Sequence, residues 1–370
     1  MVVLVANSAW GIYNFRIGLL NFFKANGIDV VLIFPFDKKY TAILKESFQC
    51  VNLFMIPNQS SPVNELKTIF YLSRILLKLK PRLVLSFTIK PNIYCSLISK
   101  FFKFNIITNI TGLGSNFLRS SISELFFRVI YRISFSPSNI NFFQNIHDMN
   151  FFLDNKISTK NNSFLIPGSG VDLKRFSPRK IQTSKEFNFL VISRLIKDKG
   201  INELILAIKS LEKKAINKKF KFTILGSYSK DNRNSISNSN FNFILENNLI
   251  SYVESTDKIE DFIAKSDCLV LPSYREGIPR SILEGFAMGK PAIVSNVPGC
   301  ADLVENGING LICKSHSSKD LEKRIIQMLN FDKVKIKHLG LNGRLKVEKF
   351  YDEKIVFRSY FKKVNKFLNV

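Results

Sequence analysis

No apolar stretch in this 370-residue sequence approaches the roughly 18 residues that a membrane-spanning helix requires. The opening residues, MVVLVA, carry no basic leader and read as a strand, so no secretory signal is expected. Cysteine is scarce and scattered: Cys50, Cys95, Cys268, Cys300 and Cys313 are odd in number and form no C-x-x-C pair. That spacing argues against a disulfide frame or a zinc knuckle and for a reducing compartment. The three histidines, His147, His316 and His338, stand too far apart in sequence to suggest a local metal cluster. Acidic residues are few, 29 against 54 Lys and Arg, for a net charge of +25. The excess is spread evenly, +12 over residues 1–178 and +13 over 179–370, so it is no basic tail. Such a surface attracts polyanions: nucleic acid, anionic lipid head groups or phosphorylated substrates. Compositional drift towards Asn, Ile, Lys and Phe explains the same charge, and charge alone identifies no partner. Neither an RNP-type aromatic signature nor a helix-turn-helix stands out, so a nucleic-acid-binding protein is only a distant alternative.

What is present is globular composition, 46% hydrophobic and 22% charged, in a chain too long for one core. Continuous apolar runs at Val2–Val5, Val30–Phe34 and Leu83–Phe87 read as buried strands, and helix-spaced apolar residues follow each of them. A loop is expected over 7–14, holding Gly11, and the alternation continues through helices near 64–79, 92–102 and 122–136. A second series begins after PGSGVD (167–172). Strands are expected at 187–193, Phe220–Leu225, 242–245, 268–271 and 291–295, and helices at 201–213, 258–265, 280–288 and 318–329. The stretch 228–240 reads as a polar surface loop. Strand–helix alternation with apolar strands implies parallel sheets covered on both faces. The expectation is an α/β chain of two doubly wound, Rossmann-like domains facing a cleft, with a hinge near 165–175. A helical segment over 342–368 is expected to pack back across that hinge.

The densest chemical signal is PSYREGIPRSILEGFAMGKP (272–291), which follows an apolar strand and opens a helix. Open α/β sheets bind ligands at the carboxyl ends of their strands. Glu276 sits at the turn and Glu284 eight positions later in the helix. Gly277 permits close backbone approach, and Pro279 suits an early helical position, where its missing N–H costs nothing. Free N–H groups there, with the helix dipole, favour an anion. A carboxylate at the turn suits sugar hydroxyls, and one two helical turns on suits a ribose. The plainer reading makes both glutamates solvated helix charges.

This run resembles the E-x7-E signature of retaining, nucleotide-sugar-dependent glycosyltransferases of the GT-B fold, family four. The resemblance extends through VPGCADLVENGINGLIC (297–313), ISRLIKDKGINELILAI (192–208) and IPGSGVDLKRFSP (166–178). NSAWGIYNFRIGLL (7–20), SFTIKPNIY (86–94) and NITGLGSNF (109–117) are similar to members that build bacterial surface polysaccharides and lipid-linked glycans. It implies an acceptor-binding domain over 1–168, a nucleotide-sugar-binding domain over 169–345, and a C-terminal helix over 346–370. On the matching positions, Arg194 and Lys199 are the basic pair that neutralises the donor diphosphate, with Glu276 contacting the donor sugar and Glu284 the ribose hydroxyls. These cations would stabilise a leaving group that gains negative charge as the glycosidic bond breaks. Gly277, Ile278, Pro279 and Arg280 complete the substrate-binding turn, with Arg280 facing the phosphates or the surface. Gly11 matches a small residue that lets the first domain approach the phosphates, although many members carry two adjacent glycines there. Many relatives also place a histidine at about Thr88; here Lys90 and Asn92 are the nearby polar candidates. A donor phosphate oxygen is then expected to take the acceptor proton, without a protein nucleophile. No D-x-D dyad follows a strand, and no metal or other cofactor is expected.

Three segments, 69–82, 99–104 and 116–135, combine large apolar side chains with Lys or Arg, as a helix bedded in lipid head groups does. The implied partners are a UDP-sugar donor, a lipid-linked saccharide acceptor and an anionic membrane surface, with no nucleic acid. The implied activity is hexose or N-acetylhexosamine transfer in O-antigen, capsule or glycan synthesis, on the cytoplasmic face of the membrane. A soluble sugar transferase with a small acceptor is the neighbouring alternative.

Overall fold

The apolar runs become strands buried on both faces, which is what a parallel sheet between two helical layers demands of its residues. The computed structural model describes residues 1–56, 61–102, 104–113, 121–135, 139–179 and 185–368, apart from the side chains of 121–123 and 126. The chain divides into two compact units, Met1–Ser169 with Glu353–Val370, and Gly170–Asp352. Residues 346–352, expected with the terminal helix, therefore fall in the second unit.

The first unit runs β1 (Val2–Val5), α1 (Ala9–Ala25), β2 (Val30–Phe34), α2 (Tyr40–Lys45), β3 (Gln49–Asn52), α3 (Pro62–Leu79) and β4 (Leu83–Phe87). It continues through α4 (Ile89–Phe102), β5 (Asn105–Ile110), α5 (Ser121–Ser134), β6 (Ile140–Phe143), α6 (Ile146–Asp154) and β7 (Ser163–Leu165). Its sheet has the order β3-β2-β1-β4-β5-β6-β7, with every pairing parallel. The chain turns outward from β1 to β3, then returns to β4 beside β1. Connections after those two strands leave on opposite sides, which opens a crevice at their carboxyl ends.

The second unit holds β8 (Phe187–Ile192), α7 (Ile201–Leu211), β9 (Phe220–Leu225), α8 (Asn238–Glu246), β10 (Ile250–Val253), α9 (Ile259–Lys265) and β11 (Cys268–Leu271). It ends with α10 (Arg280–Ala287), β12 (Ala292–Ser295), α11 (Cys300–Leu303), β13 (Gly310–Cys313), α12 (Ser318–Asn330) and α13 (Lys333–Phe350). The order β10-β9-β8-β11-β12-β13 is again all parallel, and its switch lies between β8 and β11.

The last helix, α14 (Glu353–Leu368), belongs to the first unit. Val356, Phe357, Tyr360, Val364 and Leu368 are buried in the same cluster as Leu19, Leu20 and Phe23 of α1 and Phe87 and Phe142 of the sheet. The Tyr360 ring meets Phe142 edge to face, centroids 4.9 Å apart, and its hydroxyl donates to Asn109 Oδ1. The single helix expected over 342–368 is two: α13 stops at Phe350, and the chain pairs there with the segment at Val171, whose N–H donates to Tyr351 O at 2.9 Å.

Two local expectations are corrected. The 7–14 loop is helix from Ala9 onward, because Ser8 caps it with a side-chain oxygen that accepts from Gly11 N at 3.1 Å. The 242–245 strand lies inside α8, capped by Ser237; its alternating Phe241 and Phe243 imitate a strand period, but Phe241 stacks on Tyr228 at 3.9 Å. Residues 114–120, which carry parts of the 109–117 and 116–135 segments, lie outside the described residues, as does Lys103.

Candidate active site

Ligand-sized chemistry gathers at the carboxyl ends of β8 and β11. After β8 the chain passes through Ser193 and Arg194, then makes a 3-10 turn at Lys197–Lys199. Gly200 ends that turn at φ 68°, where an added Cβ would stand 2.0 Å from the Pro272 carbonyl oxygen. Only glycine fits, and the contact presses the basic loop onto the segment that follows β11. Tyr274 N–H donates to Asp198 O at 2.9 Å and fastens the two stretches together. Held there, Lys199 Nζ donates to Glu276 Oε1; the two side chains are 21% and 13% exposed. Arg194 is exposed, with no side-chain partner among the described residues. One cation is thus docked on the turn carboxylate and the other is free.

The turn is braced from its far side. Gly299, at φ 79°, approaches so closely that an added Cβ would lie 2.1 Å from Gly277 O. Ile278 packs on the apolar layer beneath, and Pro279 is buried as the N-cap of α10 rather than standing inside its first turn. Pro279 makes no side-chain cap; its carbonyl accepts from the Ile282 and Leu283 N–H groups at 3.2 Å each, and the Ser281 N–H ahead of them has no carbonyl partner from the helix. Glu284, only 6% exposed, faces inward from α10. Burial raises its carboxyl above the ordinary 4.5, against the pull of Arg280, whose Nε donates to Oε1 at 2.8 Å. Arg175 lowers it further from the side, and Glu260 raises it.

Arg175 and Glu260 escaped the sequence reading. The guanidinium of Arg175 reaches Glu260 Oε2 at 2.9 Å and Asp257 O at 2.8 Å, so α9 and the 172–176 turn add two charges beside Glu284. Arg175 stands in the IPGSGVDLKRFSP run, which was the available signal. Tyr274 was missed as well: its ring stacks on His316 with centroids 3.7 Å apart, and its hydroxyl donates to Glu203 Oε1 at 2.7 Å. Burial pushes the Tyr274 phenol up, and Glu203 adds to the shift.

The second unit therefore brings Arg194, Lys199, Glu276, Gly277, Ile278, Pro279, Arg280 and Glu284 to one edge of one sheet. The candidates of the first unit fare differently. Gly11 is in the first turn of α1, with its N–H already given to Ser8. Lys90 is folded onto α3, 2.7 Å from Glu65 Oε1 and 2.9 Å from Ile56 O. Asn92 is 1% exposed. Its Oδ1 accepts from Ser86 Oγ at 2.7 Å, and its Nδ2 donates to Asn109 O at 2.8 Å. Asn109 in turn accepts from Tyr360, so Asn92 ties β4, β5 and α14 together.

Comparison with known proteins gives two family matches. The family described as "Glycosyl transferases group 1" matches residues 174–345, and the one described as "Glycosyl transferase 4-like" matches residues 1–145. The chain is 27% identical to the N,N'-diacetylbacillosaminyl-diphospho-undecaprenol alpha-1,3-N-acetylgalactosaminyltransferase of Campylobacter jejuni, over 97% of this chain and 96% of that protein. It is 30% identical to the capsular polysaccharide biosynthesis glycosyltransferase CapM of Staphylococcus aureus, over 49% of this chain and 47% of CapM. Among solved structures, a glycosyltransferase from Rickettsia africae superposes with a TM-score of 0.77 at 18% identity, covering 99% of this chain and 98% of that one. HepE of Anabaena, in complex with UDP and glucose, superposes with a TM-score of 0.79 at 16% identity, covering 99% and 100%.

Proposed function

The chain belongs to the glycosyltransferases, on the GT-B fold, and from that premise we propose that it moves a hexose or N-acetylhexosamine from a UDP-sugar to a polyprenyl-diphosphate-linked saccharide. The observation that carries this reading is the arrangement after β8 and β11: a free Arg194, and a Lys199 docked on Glu276 at the mouth of a strand–helix turn. A diphosphate bound there is met by both cations and by the Ser281 N–H at the start of α10, without a metal. Glu276 takes the hydroxyls of the transferred sugar, and Glu284, positioned by Arg280, takes those of the ribose. As the sugar–phosphate bond breaks, the departing diphosphate gains charge, and Lys199 and Arg194 hold it. The acceptor attacks from the same face and loses its proton to a phosphate oxygen, so configuration is retained. The Campylobacter relative, named for a diphospho-undecaprenol acceptor and similar over almost the whole chain, supports the choice of acceptor and a role in surface-glycan synthesis. The HepE complex supports the choice of UDP. Nucleoside diphosphate release is the test: a panel of UDP-hexoses and UDP-N-acetylhexosamines is mixed with polyprenyl-diphosphate-linked saccharides, and no release with any pair overturns the reading.

The buried carboxyl of Glu284 makes donor binding sensitive to pH. Once protonated it accepts hydroxyl protons poorly, so donor KM is expected to climb as pH falls through its raised titration point. Glu284→Gln, already neutral, should raise donor KM throughout and flatten that acid limb. A limb left in place by the substitution assigns it to another group. For stability the sign is opposite. A carboxyl raised in the folded state stabilises below its ordinary 4.5, and that contribution is lost as pH rises through the folded value.

Peripheral membrane docking rests on a face of the first unit. No helix among the described residues is long and apolar enough to cross a membrane. On the surface of α3, Leu66, Phe70, Tyr71 and Leu77 are exposed, as are Phe101 and Phe102 at the end of α4 and Leu125, Val129 and Ile133 along α5. Lys67, Arg74, Lys78 and Lys100 are exposed on these same helices. Their acids are engaged, Glu65 with Lys90 and Glu124 with Arg128, which leaves the face cationic. Apolar side chains ringed by cations suit an anionic lipid surface. The double change Phe70→Asp with Phe101→Asp should lower co-sedimentation with phosphatidylglycerol vesicles about tenfold or more, without shifting the melting temperature. Undiminished sedimentation, with equal transfer to a lipid-free acceptor, would favour the soluble alternative.

A further inference from the structure

The first unit has its own crevice, between the carboxyl ends of β1 and β4, and the candidates read from sequence do not fill it. Trp10, the sole tryptophan of the chain, stands on the first turn of α1 directly after β1 and is 47% exposed. Phe15 braces it from the side, ring centroids 5.1 Å apart and planes at 89°. Across the switch, Thr88 follows β4. It adopts φ 75°, a left-handed backbone that a β-branched residue takes only when its surroundings force it. Its hydroxyl oxygen is shielded from solvent and has no hydrogen-bond partner among the described residues. The register sets Val5 against Ser86, and Asn7 and Thr88 each stand two residues beyond that last pair. Asn7 is half-buried, and its amide also has no partner among the described residues.

An exposed indole, an unengaged amide and an orphaned hydroxyl on a strained backbone thus all follow the two strands that flank one switch point. None of Trp10, Asn7 and Thr88 carries a charge, and among the described residues nearby Lys90 is engaged by Glu65 and Arg16 lies over the Phe87 ring at 4.3 Å. Charged donor chemistry is gathered instead after β8 and β11. A pyranose ring matches this uncharged set: its C–H face is weakly positive and lies well on an aromatic face, and its edge is a ring of hydroxyls. We infer that Trp10 is the platform on which the terminal sugar of the acceptor stacks, with Asn7 and Thr88 taking its hydroxyls. The inference rests on the transferase reading above and adds the acceptor-recognising residues to it.

Because Trp10 is the only tryptophan, its emission reports occupancy directly. The probes are farnesyl-diphosphate conjugates of N-acetylglucosamine, N-acetylgalactosamine and N,N'-diacetylbacillosamine, first ranked by nucleoside diphosphate release. Titration of the accepted conjugate, without nucleotide, should quench or blue-shift the emission and saturate near its KM. Trp10→Ala should raise acceptor KM about tenfold and leave donor KM within about twofold; Trp10→Phe should recover most of the loss. Thr88→Val, equal in shape, should weaken acceptor use alone. Trp10 is exposed, so its variants should keep the parent melting temperature. A conjugate that is turned over while the emission stays unchanged and Trp10→Ala keeps its acceptor KM overturns the inference and leaves the transferase reading intact. If no conjugate accepts sugar, the polyprenyl-acceptor reading fails, and this assignment with it.

Discussion

Lys199→Ala is expected to lower turnover by about 10²-fold or more while the protein stays folded. The reason is where charge develops. In the ground state one phosphate oxygen is esterified to the sugar and carries no charge; in the transition state that C–O bond is breaking, its electron pair stays with the oxygen, and negative charge grows on the leaving diphosphate. A cation fixed beside it is worth more in the second state than in the first, so its loss falls mainly on kcat. Gly200 fixes Lys199 by its contact with Pro272, and Glu276 anchors the ammonium before substrate arrives. Donor KM should therefore change less than kcat. Lys199→Arg should restore part of the rate, since charge returns with a different shape. Arg194→Ala removes an unpartnered, exposed cation and should slow turnover without any cost in stability. Near-parental single-turnover rates in both alanine variants would remove the basic pair from the mechanism.

Ending the chain at Asp352 is expected to abolish folding of the first unit. Helix α14 buries Val356, Phe357, Tyr360, Val364 and Leu368 against that unit. At about 1.5–3 kcal/mol for each large side chain, these contribute up to about 8–15 kcal/mol, an upper bound set by the extended-chain reference. A domain has about 5–15 kcal/mol of net stability in total, so the loss is of the same size as the whole. Tyr360→Phe is the graded version. It keeps the ring between Phe87 and Phe142 and removes only the hydroxyl bonded to Asn109, at a cost of about 1–3 kcal/mol. Urea unfolding followed by tryptophan emission reads the first unit alone, since Trp10 lies within it. A cooperative Trp10 transition surviving in the truncated chain would show that α14 is dispensable there.

Much of this was legible one segment at a time. Buried parallel strands are continuous apolar runs, so β1, β2, β4, β9 and β11 stand out by composition. The weaker strands did not: β3, β6, β7, β10 and β13 have three or four residues each and too little pattern to separate from loops. The 242–245 segment failed for a related reason, because two phenylalanines at alternate positions fit a strand and a capped helix equally well. In the second unit the candidate residues lie in two short runs, 192–208 and 272–291, and local spacing carried them to one edge of the sheet.

The sequence by itself determined the class of the chain: two series of apolar strands and amphipathic helices, with paired glutamates and basic residues placed just after strand ends. Strand period, glycine position and charge spacing are local properties, and they persist in the folded protein. Tertiary structure alone decided what each polar group spends its capacity on. Lys90 meets Glu65 across 25 residues, Lys199 meets Glu276 across 77, and Tyr360 meets Asn109 across 251. A lysine or asparagine reads the same in sequence whether it faces a substrate or a buried partner. Only the packing that removes it from water chooses between them, because a polar group denied water must bond to whatever the fold brings within reach.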